Sequence, residues 1–281
     1  MNKTLAQKLC ELNNDFYRSQ AASFSRTRRA KWLGWERCLA EMGSFSEHET
    51  LSVLDVACGN LRFEEFLAAA LPSMNVKAIG LDACDDLVPS LCMGVEVNKV
   101  FDFSRELQDH SCYEITYVHC DVMQKLSKMQ LVSEITALTN SVDLSVSFGF
   151  MHHIPLPEWR EILLQNLIDT TVTGGFVMVS FWRFMDNESM AQRAQATHEQ
   201  ALEYLSNQKL LNTQDLAGFN EGDYLIGWRN TPGVYRYCHS FSDEEIDNLL
   251  AGVSDSAECV ARFRADGRSG NLNEYLVLRV C

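Results

Sequence analysis

Val53-Leu54-Asp55-Val56-Ala57-Cys58-Gly59-Asn60-Leu61-Arg62-Phe63 is the stretch that decides the fold. Its apolar start reads as a buried strand, its centre as a tight turn, and its end as the first turn of a helix. Twenty-seven residues after Asp55 comes Ile79-Gly80-Leu81-Asp82, a second apolar run closed by a carboxylate. Strand, turn, helix, strand and acid in that order begin a doubly wound α/β sheet, where a carboxylate at this place grips ribose hydroxyls. The alternation continues outward through strand 51–57, helix 62–71, strand 76–81, helix about 86–94, strand 115–119, strand 142–148, helix 157–169 and strand 175–181. This is βαβ logic with five parallel strands. Pro157-Glu158 starts a helix, and the turn Thr173-Gly174-Gly175 is expected to mark its stop. A capping box from Ser242 to Glu245 opens helix 242–251. Strands 257–263 and 273–280, joined by the Gly-rich link Asp266–Asn271, finish the sheet as an antiparallel hairpin.

Outside this core the pattern changes. Residues 1–50 read as two helices, with Leu5, Leu9, Leu12 and Phe16 on one face and Trp32, Trp35 and Leu39 on another. Between them the segment from Phe16-Tyr17-Arg18 to Arg28 is too polar and arginine-rich for core, so it either folds over a ligand or simply joins the helices. Glu188 to Leu211 is a long polar helix where a strand would be due. The expected organisation is one domain, 1–281: an N-terminal helical segment (1–50), the ligand-binding core (51–185), an inserted helical cap (186–235), and a C-terminal helix and hairpin (236–281).

Composition sets outer limits. The chain has 281 residues, 46% of them hydrophobic, enough to bury one full core. It shows no charged-then-apolar leader and no run of about 18 apolar residues, so the expectation is a soluble, cytoplasmic protein without a membrane partner. Its ten cysteines include no Cys-x-x-Cys pair, which favours scattered, mostly buried reduced thiols over zinc or disulfide frameworks. A net charge of −14 argues against a broad nucleic-acid surface. Basic residues still cluster at Arg26, Arg28, Arg29, Lys31 and Arg37 and at Arg262, Arg264 and Arg268; each cluster reads most simply as a solvated face.

The Ala57–Leu61 turn is neither the dinucleotide fingerprint G-x-G-x-x-G nor the lysine-bearing phosphate loop, because spacing and lysine are both missing. It resembles the D-x-G-x-G-x motif of class I S-adenosylmethionine-dependent methyltransferases, written here Asp55-Val56-Ala57-Cys58-Gly59-Asn60-Leu61. Ala57 and Leu61 replace family glycines, while Gly59 is kept. The resemblance implies a Rossmann-like, mostly parallel sheet and S-adenosylmethionine as cofactor. It further implies that Asp82 accepts from the ribose hydroxyls, that Asp121 and the Val122 amide read the adenine edge, and that Asp55 orients the methionine ammonium. Gly59 would let the main chain pass the cofactor closely, with Ala57, Asn60 and Phe148 bordering the same site. Any one of these Asp residues alone would read as a helix cap or turn former; three at matching strand ends point to a ligand.

His152-His153-Ile154-Pro155 is similar to the family's fourth motif. One histidine could be a substrate-facing base or donor, or one could pack on the cofactor while the other caps the next helix. Ser147-Phe148-Gly149-Phe150 stands where amine methyltransferases carry Asn/Asp-Pro-Pro-Tyr, and no Pro-Cys follows that strand. Exocyclic amine and covalent cytosine chemistry are therefore disfavoured. Methyl transfer needs alignment more than acid–base help, so catalytic residues need not be numerous.

A closer resemblance lies at the two ends. Phe16-Tyr17, Ser23-Phe24-Ser25-Arg26-Thr27-Arg28 and Trp32 resemble the opening of the tRNA wobble-uridine methyltransferases, which esterify a carboxymethyl group at uridine C5. Arg236-Tyr237-Cys238-His239-Ser240-Phe241, and Gly270-Asn271 with Tyr275, resemble their closing segments; Cys238 and Leu272 depart from that pattern. By this resemblance Arg28 meets the methionine carboxylate, and Arg236, His239 and Asp266 line the nucleobase pocket. Plainer readings pair Arg236 with surface acids and put Asp266 in the hairpin turn with Gly267.

Three functions remain open on the sequence. The first is a methyltransferase acting on a carboxymethyl-type wobble uridine of tRNA. The second is a small-molecule O- or N-methyltransferase with the insertion as a lid. The third, suggested by Ala57 and Leu61, is a non-catalytic methyltransferase-like binding protein. Need for a protein activator is not legible in these residues.

Overall fold

A computed structural model describes residues 1–28, 30–43, 50–88, 99–102, 113–128 and 140–281. In chain order the described elements are α1 (Lys3–Thr27), α2 (Leu33–Ala40), β1 (Thr50–Val56), α3 (Arg62–Ala70), β2 (Asn75–Asp82), β3 (Lys99–Asp102), β4 (Tyr113–His119), α4 (Val122–Ser127), β5 (Val142–Ser147), α5 (Pro157–Thr170), β6 (Thr171–Trp182), α6 (Glu188–Asn207), α7 (Thr213–Leu216), β7 (Asp223–Gly227), β8 (Tyr235–His239), α8 (Asp243–Val253), β9 (Ala257–Ala265) and β10 (Asn273–Val280).

The main sheet runs β3-β4-β2-β1-β5-β6-β10-β9. β4, β2, β1, β5 and β6 are mutually parallel. β10 and β9 then run antiparallel, as the terminal hairpin required. Period-2 alternation sends neighbouring side chains to opposite faces. Leu54, Val56 and Val177 join Val122, Trp159, Leu163 and Ile246 under α4, α5 and α8. Val53, Val76 and Leu144 join Trp35, Phe63 and Phe66 under α2 and α3. A third core, built of Leu5 and Leu9 from α1, Ala201 and Leu205 from α6, and Leu225, Tyr235 and Tyr237 from the β7–β8 ribbon, ties the N-terminal helix to the insertion.

Three expectations need correction. The segment 16–28 does not join two helices: α1 runs unbroken to Thr27, because the stretch contains neither Gly nor Pro to stop it. Tyr17, Arg18 and Arg28 border a cavity while Ser19, Arg26 and Thr27 are exposed, which is why the apolar stripe fades there. The glycines 174 and 175 do not stop a helix; α5 passes directly into β6 at Thr171. Gly174 has φ +82, and the β5–β6 register slips between Val142 and Leu144, so the pair sits in a bulge inside the strand. β3 is an additional antiparallel edge strand, four residues long and too short to show alternation in sequence. The expected helix 86–94 is described only through a 3₁₀ turn at Asp85–Leu87, the remainder lying outside the described residues. Among the described residues no helix is long and apolar enough to cross a membrane. The described cysteines are all free, but only Cys38, Cys58, Cys120 and Cys238 are buried.

Candidate active site

At the carboxyl ends of the parallel strands lies a cavity of about 830 Å³. It is bordered by every residue given a binding or catalytic role above except His239: Arg28, Asp55, Ala57, Gly59, Asn60, Asp82, Asp121, Val122, Phe148, His152, His153, Arg236 and Asp266. Topology explains this convergence, since strand ends in an open α/β sheet share one rim.

The β1–α3 turn keeps a glycine conformation at positions that lack glycine. Ala57 has φ +65, Gly59 +58 and Leu61 +60. The left-handed region costs a non-glycine residue about 1–2 kcal/mol, so the turn carries strain at two places. The Ala57 and Cys58 amides donate to the Leu81 carbonyl, fixing the turn to β2. The Leu61 side chain is fully buried and turns into the core, against Gly80, rather than into the cavity. A Cβ built on Gly59 meets nothing within 4 Å, so any side chain there would project into free space at the cavity rim.

Beside the turn, Asp82 accepts from the Gly59 amide at 2.9 Å and the Cys84 amide at 2.8 Å. Asp121 caps α4 through Gln124 at 2.9 Å and accepts from Asn14 at 3.0 Å. Asp55 and Glu64 are both buried, with no basic partner among the described residues and no hydrogen bond of good geometry between them. Burial, aided by Glu64, pushes the Asp55 carboxyl well up; burial pushes Glu64 up to about 7. Both carboxyls are thereby biased toward the protonated form, and a cation placed at Asp55, whose Oδ1 is unpartnered, would relieve that bias.

The N-terminal segment closes one side. Asn60 donates to the Arg28 carbonyl and Arg62 to the Ala30 carbonyl, so the turn itself holds the chain that follows α1. Arg28 stacks on Phe24 and makes no ion pair among the described residues. Arg28 and Arg236 both line the cavity, and burial with the nearby Arg236 lowers the Arg28 pKa. Arg236, 5% exposed, is likewise without a carboxylate; the rings of Phe16, Phe24, Trp182 and Trp228 surround its guanidinium at 5.1–5.7 Å. The plain expectation that Arg236 pairs with surface acids is therefore incorrect.

His153 donates through Nδ1 to the Tyr237 carbonyl at 2.9 Å and meets the Tyr17 hydroxyl through Nε2 at 2.7 Å. Burial, then Arg236, push its pKa down to about 3, so it is neutral. His152 is buried, its pKa lowered by burial and by His153, and its Nδ1 has no partner. His152, His153 and Cys238 lie close enough to suggest a metal site. Both His153 nitrogens are already engaged, and the Arg236 charge beside them opposes a cation. His239 does not line the cavity: it is clamped between Asp223 at 2.8 Å and Glu245 at 2.7 Å, joining β7 to α8. Asp266 has φ +67, accepts from the Gly34 amide, Asn273 and Tyr275, and so fastens α2 to the β9–β10 turn.

Sequence reasoning gave no role to Tyr17 or Asn13. Asn13 follows Leu9 by one helical turn on the buried face of α1, and a polar residue there was the available signal.

No protein-family model matches the chain. No curated protein matches it either. Among solved structures, a SAM-dependent methyltransferase from Methanosarcina mazei aligns over 84% of this chain and 93% of its own, with TM-score 0.53 and 15% identity. A chain of the complex between the Haloferax volcanii Trm112 methyltransferase activator and a methyltransferase aligns over 95% and 96%, with TM-score 0.50 and 10% identity. The fold is that of the class I methyltransferases: Rossmann-like, mostly parallel, with an antiparallel C-terminal hairpin.

Proposed function

We propose that the chain is an S-adenosylmethionine-dependent methyltransferase that esterifies an anionic, carboxylate-type oxygen. The observation that carries this reading is Arg236: a buried cation with no carboxylate among the described residues, facing the same cavity as the nucleotide-type turn. A guanidinium held in that state is costly unless an anion completes it, and its fork suits a carboxylate with two hydrogen bonds.

The residues fit the cofactor. These residues line one cavity: Gly59 leaves room where a side chain would intrude, Asp82 would offer a ribose acceptor, Asp121 and Val122 would hold the adenine, Asp55 would suit the ammonium, and Arg28 would suit the carboxylate. When bound, the cofactor supplies a methyl on a sulfonium, so that an oxygen–carbon bond forms as the carbon–sulfur bond breaks and its pair stays on a neutral thioether. Because a carboxylate is already anionic, no base is required, which agrees with two neutral, buried histidines. Arg236 would bind and orient the acceptor; Asp266 and His153 would hold the walls.

The favoured acceptor is the carboxymethyl group of a modified wobble uridine in tRNA, on the end motifs around Arg28, Arg236 and Asp266. A small-molecule carboxylate is the second reading, and one observation favours it. Lys31 pairs with Glu36, Arg37 lies on Phe263 and donates to the Arg264 carbonyl, and Arg262 and Arg264 sit among Asp186, Asp243, Asp247 and Glu274. Three of the basic residues named in sequence, Lys31, Arg262 and Arg264, are thereby paired with acids, which leaves a phosphate backbone fewer free cations; Arg29 is outside the described residues. Mass spectrometry of tRNA nucleosides from a strain lacking the gene separates the two. Loss of a carboxymethyl ester supports the tRNA acceptor, and an unchanged profile leaves the small-molecule acceptor.

A further inference from the structure

Tyr17 stands on α1 with its hydroxyl 2.7 Å from His153 Nε2, and the proton between them can be placed by elimination. The Tyr237 carbonyl, 2.9 Å from His153 Nδ1, can only accept, so Nδ1 carries the imidazole proton. Asn13 cannot reverse this. Its Oδ1 is taken by the Tyr237 amide at 2.7 Å, which turns its NH₂ toward the same carbonyl at 3.2 Å; the NH₂ also lies 3.2 Å from Nδ1, but the shorter 2.9 Å approach of Nδ1 to the carbonyl oxygen is a hydrogen bond only with the proton on Nδ1. With Nδ1 protonated and the ring neutral, Nε2 is a bare lone pair, and Tyr17 must donate to it. Burial pushes the Tyr17 phenol up to about 12, so it keeps its proton. The phenol oxygen of this cavity-lining residue then has only lone pairs to offer, one within reach of the Arg236 guanidinium and the other left for the cavity.

That direction matters because of the surrounding charge. Arg236 and Arg28 both act on Tyr17. Two guanidinium groups favour the carboxylates that they would bind but repel a sulfonium brought into the same cavity. A dipole with its negative end facing the cavity would offset that repulsion for a sulfonium's polarised methyl hydrogens.

We propose that Tyr17, rather than either histidine, is the polar contact of the transferred methyl, with its oxygen lone pairs turned to the sulfonium by the relay Tyr17–His153–Tyr237 carbonyl. His153 is a positioning residue that acts through Tyr17. The inference rests on the cofactor reading given above and assigns a specificity to it: the protein distinguishes the sulfonium of the cofactor from the neutral thioether of its demethylated product.

Calorimetric titration of the full chain with S-adenosylmethionine, and separately with S-adenosylhomocysteine, tests this without any acceptor. Tyr17→Phe should weaken S-adenosylmethionine about fivefold and S-adenosylhomocysteine by less than about twofold, because only the former presents a charged methyl. Retained product binding shows that the variant is folded. His153→Ala, which keeps the phenol but frees its proton to rotate, should shift the ratio of the two affinities in the same direction. Equal weakening of both ligands, or of neither, in both variants would overturn the proposal while leaving the cofactor reading intact. Wild-type protein that binds neither ligand would overturn both.

Discussion

Leu61 occupies a family glycine position in the cofactor turn, yet its side chain is fully buried in the core under α2 and α3. Leu61→Gly therefore sets three effects against one another. Deleting a buried leucine side chain costs about 3–5 kcal/mol in transfer and cavity energy. Relief of φ +60 returns about 1–2 kcal/mol, and the added freedom of glycine in the unfolded chain costs about 1 kcal/mol. The net is a loss of about 3 kcal/mol, or a melting temperature lower by roughly 5–10 °C for a chain of this size. Ala57→Gly, where little packing is lost, should change stability by no more than about 1 kcal/mol. Urea unfolding of both variants beside wild type measures the difference, and calorimetry should find cofactor affinity within about twofold of wild type for Leu61→Gly. A Leu61→Gly protein as stable as wild type, or one that binds cofactor tenfold tighter, would refute the view that this residue left the binding surface and joined the core.

Further outcomes follow from the same geometry. Gly59→Val forces a β-branched residue to φ +58 and fills the rim, so cofactor binding should vanish by calorimetry, whereas Asp82→Ala should cost about 1–3 kcal/mol. Arg236→Ala should impair turnover of methyl label more than His152→Ala does; the reverse order would make a histidine the acting group. Glu64, lifted by burial from its ordinary 4.5 to about 7, binds more proton in the folded state over that interval. Its contribution is thus full below pH 4.5 and lost as pH rises through 7, by up to about 3 kcal/mol. Glu64→Gln should flatten that decline in urea titrations at pH 5 and pH 8, and an unchanged slope would assign it to other groups.

Much of the core was legible because each step had its own local signal. Apolar runs ending in Asp55 and Asp82 gave β1 and β2, Pro157 gave the start of α5, and Ser242 with Glu245 gave that of α8, whose capping box is present. What escaped had signals that point two ways. The polar face of α1 leaves a cover over the ligand and a plain linker equally open, because a cavity-facing side chain and a solvated one look alike in sequence. Gly174 and Gly175 serve a bulge as readily as a helix stop. His239 sits in a motif with Arg236, but alternation across β8 sends the two in different directions, one to the cavity and one to Asp223 and Glu245. The role of Tyr17 depends on which nitrogen of His153 holds a proton, and only the position of the Tyr237 carbonyl decides that.

The central claim is transfer of a methyl group to a carboxylate-type oxygen. The most direct test incubates the protein with methyl-labelled S-adenosylmethionine and a cell extract separated into RNA and metabolite fractions, then treats the labelled product with mild alkali. The account predicts label in one fraction that alkali releases as methanol, as an ester must. Label that survives alkali, as on nitrogen or carbon, or no label in either fraction, would contradict it.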